Sequence, residues 1–312
     1  MSEVLVQTER LVKAYGSFRA VDGLDLRLNE GEVYGFLGPN GSGKSTTILM
    51  MLGLTEPTSG IVRVLGHDPA REPISVKRQV GYLPESVGFY PDLSGKENLM
   101  YTADLNKIRR SEASTRIDEL LDMVELGPAR DQVVGHYSRG MRQRLGLADV
   151  LLKRPKVIIL DDPTLGLDPT GIQWLLQMIS NLSSEQGISI FVSSHQLHEV
   201  QRVCHRVGIM SHGKMVLEGT VAELTKKTES GGFGLILEVA GGDDMLMKAL
   251  RELPGVQSCL RVGTQIIIEG DQDIRSQAIS TTVASGTPLL GATSENRTLE
   301  EIYLRYFAGT EV

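Results

Sequence analysis

The sequence predicts an α/β chain, strands alternating with helices, that ends in a small α+β unit. Three observations carry this. An apolar run at 33–37 leads into a glycine-rich loop and then a helical segment at 46–54. Two further apolar runs, 157–160 and 188–193, flank a helical stretch at 171–184, the alternation of a parallel sheet. Beyond residue 234 the order is strand 235–239, helix 243–253, strand 256–262, strand 265–269, helix 273–285 and strand 288–293. That is βαββαβ, the ferredoxin-like order.

Residues 1–30 alternate apolar and polar side chains, as in Val4-Leu5-Val6-Gln7 and Leu24-Asp25-Leu26-Arg27-Leu28, the pattern of an antiparallel sheet edge. Residues 31–84 hold the glycine-rich loop, its helix and more strands. From about 86 to 150 the periodicity is helical, with segments at 95–107, 111–124 and 140–152. Residues 208–216 read as a closing hairpin and 221–227 as a helix. Glu229-Ser230-Gly231-Gly232-Phe233-Gly234 has linker composition, which divides the chain into 1–228 and 229–312. An amphipathic helix is expected at 299–307.

The glycine-rich loop is Gly38-Pro39-Asn40-Gly41-Ser42-Gly43-Lys44-Ser45-Thr46. It fits G-x-x-x-x-G-K-[ST], the phosphate-binding loop of nucleoside triphosphatases. Glycines let the backbone curl so that successive N–H groups face one anion. The Lys44 ammonium reaches the outer phosphates in such loops, and the Ser45 hydroxyl ligates Mg²⁺. The following helix turns its N-terminus to the same anion. The second apolar run ends in Asp161-Asp162-Pro163. A parallel strand that delivers acids at its C-terminal end places them at the ligand edge of the sheet. Asp161 there suits Mg²⁺, and Asp162 would face an attacking water. Ser138 and Gly140 open a helix, so a hydroxyl and an N–H form an anion-binding terminus.

Composition narrows the setting. The 312 residues carry a formal net charge of −7, with no dense run of Lys and Arg, which argues against nucleic acid as the main partner. Two distant cysteines, Cys204 and Cys259, form neither a disulfide framework nor a metal motif. No apolar run approaches the ~18 residues a membrane span needs. His67, His136, His198, His205 and His212 show no ligand spacing.

Tyr137-Ser138-Arg139-Gly140-Met141-Arg142-Gln143-Arg144, upstream of Asp161, resembles the signature motif of ATP-binding cassette (ABC) ATPases. Its serine and second glycine are kept, while Arg139 and Met141 stand where glycine and glutamine are usual. Over residues 1–225 the remaining motifs arrive in the family's order. The resemblance implies a P-loop ABC ATPase fold with a mixed sheet core, an antiparallel β subdomain and a helical subdomain at about 86–150. It implies ATP and Mg²⁺ as ligands. Tyr15 resembles the aromatic that stacks on adenine, Leu167-Asp168 the loop that crosses a dimer interface, and His195 the switch histidine that meets the γ-phosphate. In the family two cassettes stack head to tail, so Ser138 and Gly140 serve the partner's nucleotide. A second copy or a paralogue is therefore expected, with catalysis resting on Lys44, Glu85, Asp162 and His195 and metal binding on Ser45, Glu85 and Asp161.

Two departures bear on chemistry. Asp162 stands where the family usually has glutamate, so its carboxylate sits back by a methylene, and misplacement on the scale of about 1 Å can cost on the order of 10²-fold in rate. Glu85 stands where glutamine is usual; it still offers oxygen to a hard cation, and our expectation is that it helps orient the water. The helical stretch 86–136 would dock a membrane partner, with Phe89-Tyr90-Pro91-Asp92-Leu93 either a groove for its helix or a partly buried loop. The tail 298–307 resembles that of drug- and multidrug-export ATPases and could dimerise, regulate or cap the cassette. The reading is thus the ATPase of an exporter-type transporter with separate permease subunits, at the cytoplasmic face of the membrane. A soluble ABC ATPase of ribosome or DNA and an ATP-clamped dimer with weak hydrolysis are the alternatives.

Overall fold

A computed structural model describes residues 3–196, 201–224, 233–241, 244–270 and 272–295. The expected linker residues 229–232, His198 and the expected helix at 299–307 lie outside the described residues. The chain divides into two compact units, Met1–Gly219 and Thr220–Val312. The division falls before the boundary expected at 228, at the point where the last strand of the first unit runs out.

The first unit opens with a long hairpin, β1 (Val4–Tyr15) and β2 (Phe18–Asn29), which β4 (Ser59–Val64) extends to an antiparallel sheet of order β2-β1-β4. Alternation of the sequence becomes burial on one face: Leu24, Leu26 and Leu28 are in the core while Asp25 and Arg27 are exposed. The second sheet has six strands in the order β5-β6-β7-β3-β8-β9. These are β3 (Val33–Leu37), β5 (Val80–Leu83), β6 (Val157–Asp161), β7 (Ser189–Ser194), β8 (Arg206–Ser211) and β9 (Lys214–Thr220). Neighbours from β5 to β8 pair in parallel, so β3, β6 and β7 are buried on both faces and read as unbroken apolar or small-residue runs. His212-Gly213 alone joins β8 to β9, a two-residue link that suits an antiparallel pair. Tyr34 and Phe36 of β3 pack on Phe191 of β7, with ring centroids 5.6 and 5.2 Å apart, and fix the middle of the sheet.

Helix α1 (Lys44–Met51) begins two residues before the sequence reading placed it, because the loop passes into the helix at Gly43. A helix α2 (Pro73–Gln79) occupies a region read as strands; it is seven residues long and buries only Val76, too little for a periodic signal. Three helices, α3 (Gly95–Leu105), α4 (Arg110–Met123) and α5 (Arg139–Leu152), form the expected helical part. Ser94 and Glu97 close a capping box at the start of α3. Helix α6 (Pro169–Ser184), capped by Asp168, joins β6 to β7.

In the second unit β10 (Phe233–Val239), α7 (Asp244–Arg251), β11 (Val256–Val262), β12 (Gln265–Gly270), α8 (Arg275–Ala284) and β13 (Leu289–Glu295) make a four-stranded antiparallel sheet of order β11-β12-β10-β13. Leu235, Leu237, Ile266 and Ile268 meet Leu246 and Leu250 of α7 and Ile274 and Ala278 at the start of α8. No helix among the described residues is long and apolar enough to cross a membrane.

Candidate nucleotide site

Three parallel strands end side by side at one edge of the six-stranded sheet, and the chemistry gathers there. Leu37 closes β3, Asp161 closes β6 and Ser194 closes β7, with Leu37 paired to Ser194 and Asp161 to Ser193. Burial across both faces lets the strands end only at an edge, so the polar side chains that follow are delivered together.

The loop from Gly38 to Gly43 is wedged against its surroundings. Gly43 has φ +109°, and a Cβ there would lie 2.3 Å from the Ala20 carbonyl oxygen of β2. Only glycine fits, in conformation and in space. The same contact brings the β1–β2 hairpin to the loop, and Tyr15 stands 52 % exposed at the end of that hairpin, with Lys13 Nζ 5.0 Å from its ring centroid. Lys44 is 5 % exposed and donates to the carbonyls of Gly38 (2.7 Å) and Pro39 (3.2 Å). Burial pulls its ammonium below the usual lysine range, and the charges of Asp162 and Asp161 pull it partly back. The Ser42 hydroxyl is buried with no hydrogen-bond partner, a polar atom at a place built for an anion.

The two acids differ in their surroundings. Asp161 accepts from Ser193 Oγ at 2.5 Å, and the Ser45 hydroxyl bonds it as well. Burial raises its carboxyl above the usual range; those hydrogen bonds and Lys44 oppose the rise, and the neighbouring Asp162 adds to it. Asp162 has φ +44°, a left-handed backbone unusual outside glycine. Its N–H donates to the Ser193 carbonyl and hydroxyl at 3.2 and 3.0 Å. Its Oδ1 lies 3.1 Å from the His195 amide N and 2.8 Å from His195 Nδ1. His195, expected to meet a phosphate, thus rests its ring on the acid at the same edge.

Ser138 caps α5 by accepting from the Met141 N–H at 3.2 Å, and both it and its turn are on the surface. Gly140 sits beside Leu167, and Arg139 lays its guanidinium where a Cβ on Gly166 (φ +71°) would stand, 2.5 Å from Cζ. The signature helix and the Leu165–Asp168 turn are thus packed as one piece. Gln143, buried, ties α5 to the end of β6 through the Pro163 carbonyl at 3.0 Å. Glu85 is exposed just past β5. Tyr82 feels both Asp161 and Glu85; burial first, then these charges, pushes its hydroxyl up to about 12.

Sequence reasoning missed Ser193, Tyr82 and the Arg139–Gly166 contact. Ser193 had a signal, a hydroxyl next to the end of an apolar strand, and the register sets it opposite Asp161. The other two depend on contacts across the fold.

A depression of about 270 Å³ lies on the helical part, lined by Tyr82, Val87, Phe89, Tyr90, Tyr101, Leu105 and Asp149 among others. Asn98, buried, shapes its rim: Oδ1 accepts from the Tyr90 N–H at 2.9 Å and Nδ2 donates to the carbonyls of Tyr90, Leu93 and Ser94. Tyr90 and Tyr101 meet edge to face at 5.0 Å.

The ABC transporter family profile matches residues 21–165. The bacitracin transport ATP-binding protein of Bacillus licheniformis is 42 % identical over 223 residues, covering 72 % of each chain. The linearmycin resistance ATP-binding protein of Bacillus subtilis (strain 168) is 32 % identical over 305 residues, covering 96 % of this chain and 97 % of the relative. The daunorubicin/doxorubicin resistance ATP-binding protein of Streptomyces peucetius is 39 % identical over 219 residues, covering 70 % and 66 %. Among solved structures, an ATP-binding subunit of an ABC transporter superposes with TM-score 0.65 at 30 % identity, covering 72 % of this chain and 92 % of that one. A cassette solved as a dimer in a post-hydrolysis state with ADP and Pi has TM-score 0.62 at 26 % identity, covering 69 % and 98 %.

Proposed function

Because the chain belongs to the ABC transporter family, as one of its ATP-binding and ATP-hydrolysing subunits, we propose that it powers a drug-export transporter from the cytoplasmic face of the membrane. The relatives named for bacitracin, linearmycin and daunorubicin support export of an antibiotic-like cargo, and they favour a transporter over a ribosome- or DNA-acting ATPase. One observation carries the chemical part: Lys44, Asp161 and the Asp162–His195 pair are brought to one sheet edge beside the glycine loop.

In this reading the phosphates of ATP lie against the loop N–H groups and the start of α1, with Tyr15 stacked on adenine. Lys44 exchanges its two carbonyl partners for phosphate oxygens and offsets the charge of the transferring group. Asp162 holds the attacking water and takes its proton, and His195 fixes the carboxylate through Oδ1. Mg²⁺ fits the donors present: Ser45, Asp161 and Glu85 offer hard oxygens, and a cation would relieve a buried carboxylate that its neighbours leave under-compensated. When bound, Mg²⁺ neutralises charge on the outer phosphate oxygens. Two cassettes meet head to tail, so that the exposed end of α5, with Ser138 and Gly140, completes the partner's site. The groove between Tyr82, Tyr90 and Tyr101 receives a cytoplasmic helix of a separate permease.

Phosphate release by the purified chain and its variants tests the chemistry. Asp162→Asn is expected to lower turnover by about 10²-fold or more; equal turnover for wild type, Asp162→Asn and Asp162→Glu would mean that no base works there. Affinity purification from native membranes tests the partner. A stoichiometric polytopic protein supports the transporter reading, and ribosomal or DNA-bound partners with nothing from the membrane overturn it.

A further inference from the structure

On the helical part, next to the aromatic groove, lies a second cleft of about 410 Å³. Six cationic side chains line it, Arg78, Lys107, Arg109, Arg116, Lys153 and Arg154, against one carboxylate, Glu112. The whole chain carries a net charge of −7, so this concentration of positive charge runs against the composition. It is drawn from three distant segments, which is why no dense basic run marks it in the sequence.

Its charges are only partly compensated: Lys153 Nζ donates to the Lys77 carbonyl at 2.5 Å and feels the charge of Asp149, while the guanidinium groups have looser partners. Glu112 meets Arg154 only at 3.8 Å, and Glu119 meets Arg116 at 3.5 Å. Arg116 Nε is buried with no hydrogen-bond partner. Helix α4 begins at this cleft, capped by Arg109, whose side chain accepts nothing. Its first-turn N–H groups therefore add positive potential to the guanidinium groups. Guanidinium forks and free helix N–H groups together match one ligand chemistry, a phosphate-type oxyanion.

The cleft and the aromatic groove share walls. Helix α5 gives Asp149 to the groove and, one turn on, Lys153 to the cleft; α3 ends with Leu105 in the groove and Asn106 in the cleft. If the groove docks a cytoplasmic helix of a permease, as read above, the cleft beside it lies on the membrane-facing side of the cassette. We infer that this cationic cleft binds the phosphate of an acidic phospholipid headgroup and holds the cassette to the bilayer beside its permease.

The test is sedimentation of the full chain with vesicles of phosphatidylcholine alone, or mixed in equal parts with phosphatidylglycerol. No permease is present, so the result does not depend on docking, which co-purification tests separately. Binding is expected only with phosphatidylglycerol, and to weaken as salt rises. Arg78→Gln with Arg109→Gln should weaken it about thirtyfold, about fivefold for each charge removed. Both side chains are exposed and outside the nucleotide site, so melting and basal ATP hydrolysis should match wild type. Lys107→Asn, at a left-handed position that asparagine tolerates (φ +59°), is the second variant if the first misfolds. Equal binding to both vesicles, or by variant and wild type, overturns the proposal. So does calorimetric binding of inorganic phosphate or a short RNA that the variants lose while vesicles are ignored; either would assign the cleft to a soluble anion or a nucleic acid.

Discussion

The two ends of the six-stranded sheet both bury charge, yet only one is built for chemistry. At the end away from the glycine loop, Arg206 of β8 meets Glu32 at 3.0 Å and Glu218 of β9 at 2.5 Å, and stacks over Tyr34, which donates to Glu218 at 3.0 Å. Glu32 also accepts from the Asn29 amide at 2.8 Å, and His205 Nδ1 accepts from the Val33 N–H at 2.9 Å. Burial pulls Arg206 down, but the two glutamates outweigh it and hold it above its usual value. At the loop end the balance is reversed. Lys44 is pulled down and Asp161 pushed up, two acids sit side by side, and Ser42 has no partner. The lesson is that burial of charge does not mark a site; charges whose partners are missing or alike do. A ligand supplies what such an edge lacks.

The comparison breaks hardest under Lys44→Met. If the loop end is poised for phosphate, ATP turnover should fall by about 10²- to 10³-fold or more, as when a transition-state donor is removed. Thermal stability without nucleotide should hold or rise, because a poorly compensated buried ammonium is gone. Turnover and melting temperature falling together would make Lys44 structural. Arg206→Met should do the reverse. It leaves Glu32 buried without its counter-charge and should cost about 3 kcal/mol in a denaturant titration, with turnover per folded molecule close to wild type.

Asp161→Asn sharpens the contrast through pH. The folded pKa of Asp161 is raised, so its contribution to stability is full below the unfolded carboxylate range and is lost as pH rises through the folded value. At neutral pH the ionised group therefore burdens the nucleotide-free fold. The variant should melt a few degrees higher than wild type near pH 7 and converge with it near pH ~4, while losing metal-dependent turnover. A difference that persists at acid pH would place the effect outside titration.

How much of this was legible depends on range along the chain. The loop, Asp161 and Asp162 follow directly from apolar strands that end at polar residues, since a strand buried on both faces has one readable pattern. The helical segments and the βαββαβ order of the last unit show the same clarity, to within a few residues at their ends. The Arg206 cluster joins residues 174 apart, and the cationic cleft joins segments near 78, 109 and 153; neither leaves a local trace. His195 sat in the expected place but on a partner no pattern revealed, because a strand-end side chain reports its edge and not its neighbour.

Glu85 makes the finest test of the loop end. Asp162 is shorter than the glutamate usual at its position, and His195 holds its Oδ1 at 2.8 Å, which leaves Oδ2 for water. Glu85 stands exposed just past β5, and its charge is felt by Tyr82, which also feels Asp161. We propose that this carboxylate accepts a second hydrogen bond from the water and recovers part of what the missing methylene loses. Glu85→Gln keeps the oxygen and removes the charge, so turnover should fall by about tenfold or less, one modest hydrogen bond to a charged group. The double variant Asp162→Glu with Glu85→Gln should recover that loss, since the longer carboxylate no longer needs help. If Glu85→Gln turns over at the wild-type rate, Asp162 and His195 suffice, and the edge compensates for its shorter acid by a shift of the water itself.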